Sequence, residues 1–281
     1  MRPKHWVKNI LVFTALVFSR NLGNAMAVAQ TIAAFAAFCL LSSGCYLIND
    51  VLDRKNDILH PIKQNRPIAQ GRIKSGAALF WAIILFAVGL VVARIIGHGL
   101  FYMALGFILV GIFYSILLKH LVIQDVFAIA AGFIIRTMAG AAAIHVPISS
   151  WLLICTLLLS LFLGLTKRSL EMKLLEENAS AHRPSLAHYN PYLLDQMNAV
   201  ITSAILITYT LYTLSETTAD KFEGHGLLLT VPVVLYGIFR YLYLVHQKEV
   251  TSTLEAALVH DRPMMIAMFI YVVLAFAAIY I

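Results

Sequence analysis

Charged side chains are scarce in this chain. Asp, Glu, Lys and Arg make up 12% of its 281 residues, against 60% hydrophobic. That balance excludes an ordinary soluble globular domain. Cysteine is scarcer still. Cys39, Cys45 and Cys155 all fall within apolar runs, with neither a pairing pattern nor metal-ligand spacing, so a disulfide framework is excluded. The ten histidines form no H-E-x-x-H pattern, which argues against a zinc site. Walker A and G-x-S-x-G sequences are missing too, which argues against a P-loop nucleotide hydrolase or an α/β-hydrolase. The N-terminal basic patch leads into an apolar run with no clear small-residue cleavage site, so no cleavable signal peptide is expected.

What is present in abundance is long apolar sequence. Nine runs approach the roughly 20 residues that span a bilayer as helix, at about 6–20, 26–48, 76–96, 100–118, 122–144, 149–166, 196–215, 227–246 and 263–281. Several are rich in small residues, such as Ala130 to Ala143, which lets membrane helices approach closely. The expected fold class is all-α: a polytopic membrane protein forming one domain over residues 1–281. The formal net charge of +7 raises the question of nucleic acid, but its distribution answers it. With the N-terminus in the cytoplasm, all but Arg20, Arg94, Lys221 and Arg136 of the 21 Lys and Arg fall on the inner side. That asymmetry is the positive-inside pattern; it places the C-terminus outside and makes the lipid bilayer, not nucleic acid, the partner.

Against this background Asn49-Asp50-Val51-Leu52-Asp53-Arg54-Lys55-Asn56-Asp57 stands out. Carboxylates beside a membrane span are costly and usually mark function. Asp50, Asp53 and Asp57 are spaced by three and four, which brings them to one helix face. Three carboxylates held together call for a cation between them. Hard oxygen ligands suit Mg²⁺, which completes its shell with waters and substrate phosphates. The reading is a Mg²⁺–diphosphate site at the membrane face, with Asp50, Asp53 and Asp57 as metal ligands and catalytic residues. Lys63 and Arg66 follow closely and suit the outer oxygens of a phosphorylated substrate; the alternative is ordinary inner-face charge. A second polar inner segment, from Lys167 to about Asp195, opens Lys167-Arg168-Ser169-Leu170-Glu171 and carries Arg183 and Tyr189. Lys167 and Glu171 share a helix face. This stretch reads as a second phosphate clamp or as a solvated helix with an ion pair. Arg136 lies inside an apolar run. A charge at that depth faces a cavity or a partner, so it binds an anionic ligand or sits in a buried ion pair. Asp125, three helical turns away, is too distant to pair with it along one helix.

These residues resemble the UbiA superfamily of intramembrane prenyltransferases. The resemblance rests on N-D-x-x-D-x-x-x-D at Asn49–Asp57, then His60-Pro61 and Arg66-Pro67-Ile68. It implies a nine-helix bundle with a central cavity open to the cytoplasmic side, where two acidic motifs hold Mg²⁺ and a diphosphate. The chain departs from the usual pattern at the second motif: D-x-x-x-D is absent and Lys167-Arg168-Ser169-Leu170-Glu171 stands in its place. That departure, with Trp6-Val7-Lys8-Asn9 near the N-terminus, resembles the decaprenyl-phosphate phosphoribosyltransferase branch. The branch implies transfer of 5-phosphoribose from 5-phosphoribose 1-diphosphate (PRPP) to a polyprenyl phosphate, with Mg²⁺ as cofactor and diphosphate released. It also implies substrate contacts from Lys8, Asn49, Lys63, Arg66, Tyr114, Lys119, Arg136, Lys167, Arg168, Glu171, Arg183 and Tyr189, and a homo-oligomer. The alternatives are a UbiA-type transfer of a prenyl group from a prenyl diphosphate and, from another class, a secondary transporter. The transporter reading lacks the clear inverted repeat that many such proteins carry.

Overall fold

The computed structural model describes residues 3–59, 63–175, 189–247 and 261–281, and all regular structure among them is helical. A 3₁₀ segment, Pro3–Phe13, leads into α1 (Thr14–Phe18). Then come α2 (Ala25–Leu52), α3 (Arg54–Leu59), α4 (Ser75–Ile96), α5 (His98–Ile116), α6 (Gln124–Ala143) and α7 (Ser150–Leu175). The chain continues through α8 (Pro191–Leu214), α9 (Glu216–Phe222), α10 (Val231–Gln247) and α11 (Arg262–Tyr280). Among the described residues, eight helices are long and apolar enough to cross a membrane. Their outer faces carry large exposed apolar side chains such as Phe80, Trp81, Ile83 and Ile95, the surface that lipid demands of an integral membrane protein.

The eight lie where the apolar runs place them; the ninth expected span, 6–20, is not among them. The reason is visible in its residues. In a 3₁₀ helix side chains three apart eclipse one another. Trp6, Asn9 and Val12 therefore line one edge, with Asn9 and Val12 fully buried, while Val7 and Ile10 on another edge are exposed. An α-helix would fan those three inward residues over about 120° instead of stacking them on one edge. The segment lies against α6 where the backbone of Val12 approaches Gly140: a Cβ there would sit 2.0 Å from the Val12 carbonyl oxygen.

The chain forms two compact units. The first holds the described residues up to 149. Its core joins Val12, Phe38, Leu41, Leu100 and Phe107, and its principal packing is α2 on α4. Gly44 receives the Phe86 ring and Gly89 receives Leu41, so this pair packs through small residues. The second unit holds residues 150–175, 189–247 and 261–281 and is cored by Phe162, Leu170, Ile205, Tyr241 and Leu244.

Helix ends follow their sequences. Asn24 accepts from the amides of Met26 and Ala27 to cap α2; Asn190 accepts from Leu193, with Pro191 in the first turn of α8; Asp261 accepts from Met264 to cap α11. Each cap contributes about 1 kcal/mol. Two helix ends run further than the apolar runs suggest. α2 continues to Leu52, and α7 continues through Lys167 to Leu175. The polar stretch from Lys167 therefore starts as helix, an extension of its span.

Candidate active site

In the first unit the acidic motif straddles a break. α2 closes at Asp53, whose amide donates to the Asn49 carbonyl at 2.9 Å, and α3 restarts at once, with the Asp57 amide donating to the Asp53 carbonyl at 2.8 Å. The break divides the three carboxylates. Asp50 and Asp57 are buried and both accept from Arg66 Nη1, at 3.2 and 2.5 Å. Asp53 turns elsewhere. Its Oδ1 pairs with Lys119 Nζ at 2.5 Å, and its Oδ2 accepts from Asn49 Nδ2 at 2.9 Å. The three carboxylates thus divide between two cations, Asp50 and Asp57 on Arg66 and Asp53 on Lys119. Among the described residues no group of three or more His, Cys, Asp or Glu has metal-holding geometry.

The cations are delivered by two loops. Arg66 is held by a tight turn in which the Gln70 amide donates to the Arg66 carbonyl and that of Ile73 to Pro67. Buried Ile68 and Ala69 anchor the turn, and Gly71 closes it at φ +73°, a left-handed conformation that glycine adopts without strain. Lys63, one turn before Arg66, lies near enough to act on the charge of Asp57. Burial pushes the Asp57 carboxyl above the ordinary carboxylate range, and the Arg66 guanidinium pulls it back. Lys119 sits on a single 3₁₀ turn, Leu118–His120, between α5 and α6. Ile123, at φ +67°, turns the chain into α6. A β-branched residue there stores strain of order 1–3 kcal/mol. Tyr114, half-buried, lies in the last turn of α5, and Lys8, half-buried, on the N-terminal segment.

The donors present suit Mg²⁺. All are hard oxygens, and Mg²⁺ commonly takes only one or two carboxylates beside waters and phosphate. Asn49 Oδ1 adds a specific sign: it is buried and makes no hydrogen bond among the described residues. An orphaned acceptor of this kind costs stability unless it serves a ligand.

Deeper in the same unit stands Arg136, with 7% of its surface exposed. Its Nε donates to Asn9 Oδ1 at 2.7 Å and its Nη1 to the Gly132 carbonyl at 2.8 Å. The guanidinium lies 4.5 Å from the centre of the Phe107 ring and 5.4 Å from that of Phe133. Among the described residues no carboxylate lies within ion-pair distance, Asp125 included. Asn9, part of the Trp6-Val7-Lys8-Asn9 motif, is given no site role by sequence reasoning. It is fully buried and ties α2 to α6. The available signals are that motif and the position of Asn9 as the one amide between Trp6 and Val17.

In the second unit the basic end of α7 is arranged differently from expectation. Arg168 is 1% exposed and donates to Glu171 at 2.6 Å, while Lys167, half-exposed, lies 3.9 Å from the same carboxylate. Glu171 thus takes its closer partner from i−3. Asn198 of α8 donates to Ser169 and lies 3.4 Å from the Thr166 hydroxyl, completing a buried polar seam between α7 and α8. Tyr189 is buried just before α8. Arg183 lies outside the described residues.

The sequence pattern of the UbiA prenyltransferase family matches residues 10–273. The decaprenyl-phosphate phosphoribosyltransferase of Mycolicibacterium smegmatis is 33% identical over 224 residues, which is 78% of this chain and 70% of that protein. The enzyme of the same name from Corynebacterium glutamicum is 31% identical, covering 86% of this chain and 74% of that one. Among solved structures, a UbiA homologue from Archaeoglobus fulgidus bound to DMAPP and Mg²⁺ superposes with a TM-score of 0.75. It covers 100% of this chain and 97% of that one at 17% identity, a likeness of fold. The chain belongs to the UbiA prenyltransferase family.

Proposed function

We propose that this protein transfers 5-phosphoribose from PRPP to a polyprenyl phosphate and releases diphosphate in a Mg²⁺-dependent reaction. The observation that carries the reading is the basic stretch Lys167-Arg168-x-x-Glu171 on α7, where the resemblance leads one to expect a second carboxylate pair. A prenyl diphosphate needs metal ligands at both motifs. A donor with an additional 5-phosphate needs added positive charge, which the half-exposed Lys167 offers while Arg168 pairs with Glu171. Support also comes from the relatives about 30% identical over most of the chain.

Asp50 and Asp53, with Asp57, would hold Mg²⁺. A Mg²⁺ held there would supply the Lewis-acid neutralisation that the leaving diphosphate needs. Arg66 and Lys119 are already placed against these carboxylates, so both stand within reach of phosphate oxygens carried to the same point. The carboxylates also supply the negative field that stabilises oxocarbenium character at C1 of the ribose. The acceptor phosphate is anionic at neutral pH, so it needs positioning rather than a dedicated base. Lys8, Lys63, Tyr114, Lys167, Arg183 and Tyr189 are assigned to substrate contact. Glu171 orients Lys167, and Arg168 acts through Glu171.

The same reading has residues 1–281 act as one catalytic domain with nine spans, the active site facing the cytoplasm, the N-terminus inside and the C-terminus outside. The ninth span is the N-terminal segment. At about 2.0 Å per residue a 3₁₀ helix is longer than an α-helix of equal count. Its 11 residues and the five of α1, if collinear, reach about 30 Å, a bilayer's hydrocarbon thickness.

The test is a comparison of donors. Purified protein with Mg²⁺ and a polyprenyl phosphate should consume PRPP, and should leave a prenyl diphosphate untouched when offered an aromatic acceptor. Consumption of the prenyl diphosphate alone would replace this reading with ordinary prenyl transfer.

A further inference from the structure

Arg136 poses an energetic problem. A guanidinium buried at membrane depth is costly and is normally paired. Here its surroundings are neutral: the Asn9 amide, the Gly132 carbonyl, two aromatic rings, and Cys39, Cys45 and Tyr46 of α2. Nη2 makes no hydrogen bond among the described residues. Arg136 keeps 7% of its surface exposed, and Nη2 is not among the fully buried unpartnered atoms, so it retains some accessible surface. Rings and amide dipoles hold the cation in place without cancelling its charge.

Asn9 is built for that task. Its Oδ1 accepts from Arg136 Nε and from Ser42 Oγ at 3.2 Å, while its Nδ2 donates to Cys39 Sγ at 3.2 Å. Aspartate would satisfy Arg136 and Ser42 equally well but would neutralise the guanidinium. Alanine would leave Nε unpaired. An amide aims the cation and leaves its field intact. The backbone seats Asn9 for this through the close approach at Gly140, and Gly132, whose Cβ would lie 3.3 Å from Arg136 Nη1, leaves room for the guanidinium to fold back on its own helix.

We infer that Asn9 is a positioning residue that keeps Arg136 as an uncompensated cation for a phosphate oxyanion of a substrate. The inference rests on the phosphate-transfer reading above for the identity of that anion. The neighbours of Arg136 on α2 run from Cys39 to Tyr46, the last of them one turn, about 6 Å along the axis, before Asp50. The diphosphate is assigned to the acidic motif, so the oxyanion left for Arg136 is either the 5-phosphate of the donor or the phosphate of the lipid acceptor.

The test is Asn9→Asp, with KM measured separately for PRPP and for polyprenyl phosphate. Neutralising the guanidinium reduces its phosphate contact from a charge-assisted hydrogen bond towards a neutral one, about tenfold in affinity. One of the two KM values should rise by about that factor while kcat falls less than threefold, and the substrate whose KM moves is the source of the oxyanion. A folded variant with both KM values within twofold of the parent, or with only kcat reduced, overturns the inference. Should Asn9→Asp not fold, Arg136→Lys against Arg136→Met makes the same comparison. The lysine variant should keep a KM that the methionine variant loses; equal KM values, or failure of both to fold, assign Arg136 to structure alone. If the parent protein turns over neither substrate, the functional reading fails by itself. The inference is then judged by binding of pyrophosphate and dodecyl phosphate to the parent and to Asn9→Asp: weaker binding of either probe by the variant upholds it, and equal binding of both overturns it.

Discussion

The two units each bury an arginine, and they treat it in opposite ways. Arg168 in the second unit has a carboxylate at 2.6 Å, one turn away on its own helix. Arg136 in the first has amide, carbonyl and ring neighbours drawn from three elements. The acidic side of the first unit extends the contrast. Asp50, Asp53 and Asp57 meet cations from distant loops, Arg66 and Lys119, not from neighbours on the same helix. A local i,i+3 pair forms with its helix and persists whatever binds. Pairs between separate loops can be rearranged by a ligand carrying its own charges. The comparison teaches that the first unit keeps its charges available while the second commits the charge of Arg168 to holding α7 in shape.

The largest expected effect comes from the available charges. Asp50→Asn or Asp53→Asn should abolish Mg²⁺-dependent turnover, a loss of at least about a hundredfold on the scale of removing one electrostatic stabiliser. The folded protein, judged by monodispersity in detergent, should be unchanged. Full activity in both would remove the acidic motif from the mechanism.

Next is the committed pair. Glu171→Gln leaves Arg168, 1% exposed, without its close carboxylate, and breaking a buried pair costs about 3 kcal/mol. A clear fall in the thermal unfolding midpoint should follow. Arg136→Met breaks no ion pair and should lower the midpoint less. An equal or greater loss for Arg136→Met would erase the distinction between the two arginines.

Gly140→Ala should come third. The new Cβ meets the Val12 carbonyl, so the N-terminal segment must shift, at about 1–3 kcal/mol for overpacking. Because that segment carries Asn9, a KM change should accompany the loss of stability. A neutral substitution would mean that the segment does not lie against α6.

The smallest effects belong to the helix caps. Asn24→Ala and Asn190→Ala should each cost about 1 kcal/mol and leave both KM values unaltered, one cap probing each unit. A change in KM at either would connect the cap to the site.

Much of this was legible in the sequence because the signals are local. Apolar runs of bilayer length mark eight spans, and the acidic cluster picks out the stretch whose carboxylates meet Arg66 and Lys119. What was not legible depends on distant chain segments or on a choice between similar helices. The pairing of Asp53 with Lys119 joins residues 66 apart, and no spacing rule reaches that far. The split among the three aspartates follows from the break at Asp53, which the three-and-four spacing cannot reveal. The N-terminal run reads as ordinary α-helix because its apolar content is high. Only the line Trp6, Asn9, Val12, with Asn9 and Val12 buried, discloses a period of three. The burial of Arg168 is likewise set by how α7 lies against its neighbours, since sequence alone makes it look like a surface charge at a helix end.

The most direct measurement is the mass of the lipid product formed by purified protein from PRPP, a polyprenyl phosphate and Mg²⁺. The account predicts a lipid heavier than the acceptor by one phosphoribosyl unit, absent with EDTA and absent in Asp53→Asn. An unchanged lipid across several chain lengths, in protein shown to be folded, would contradict it.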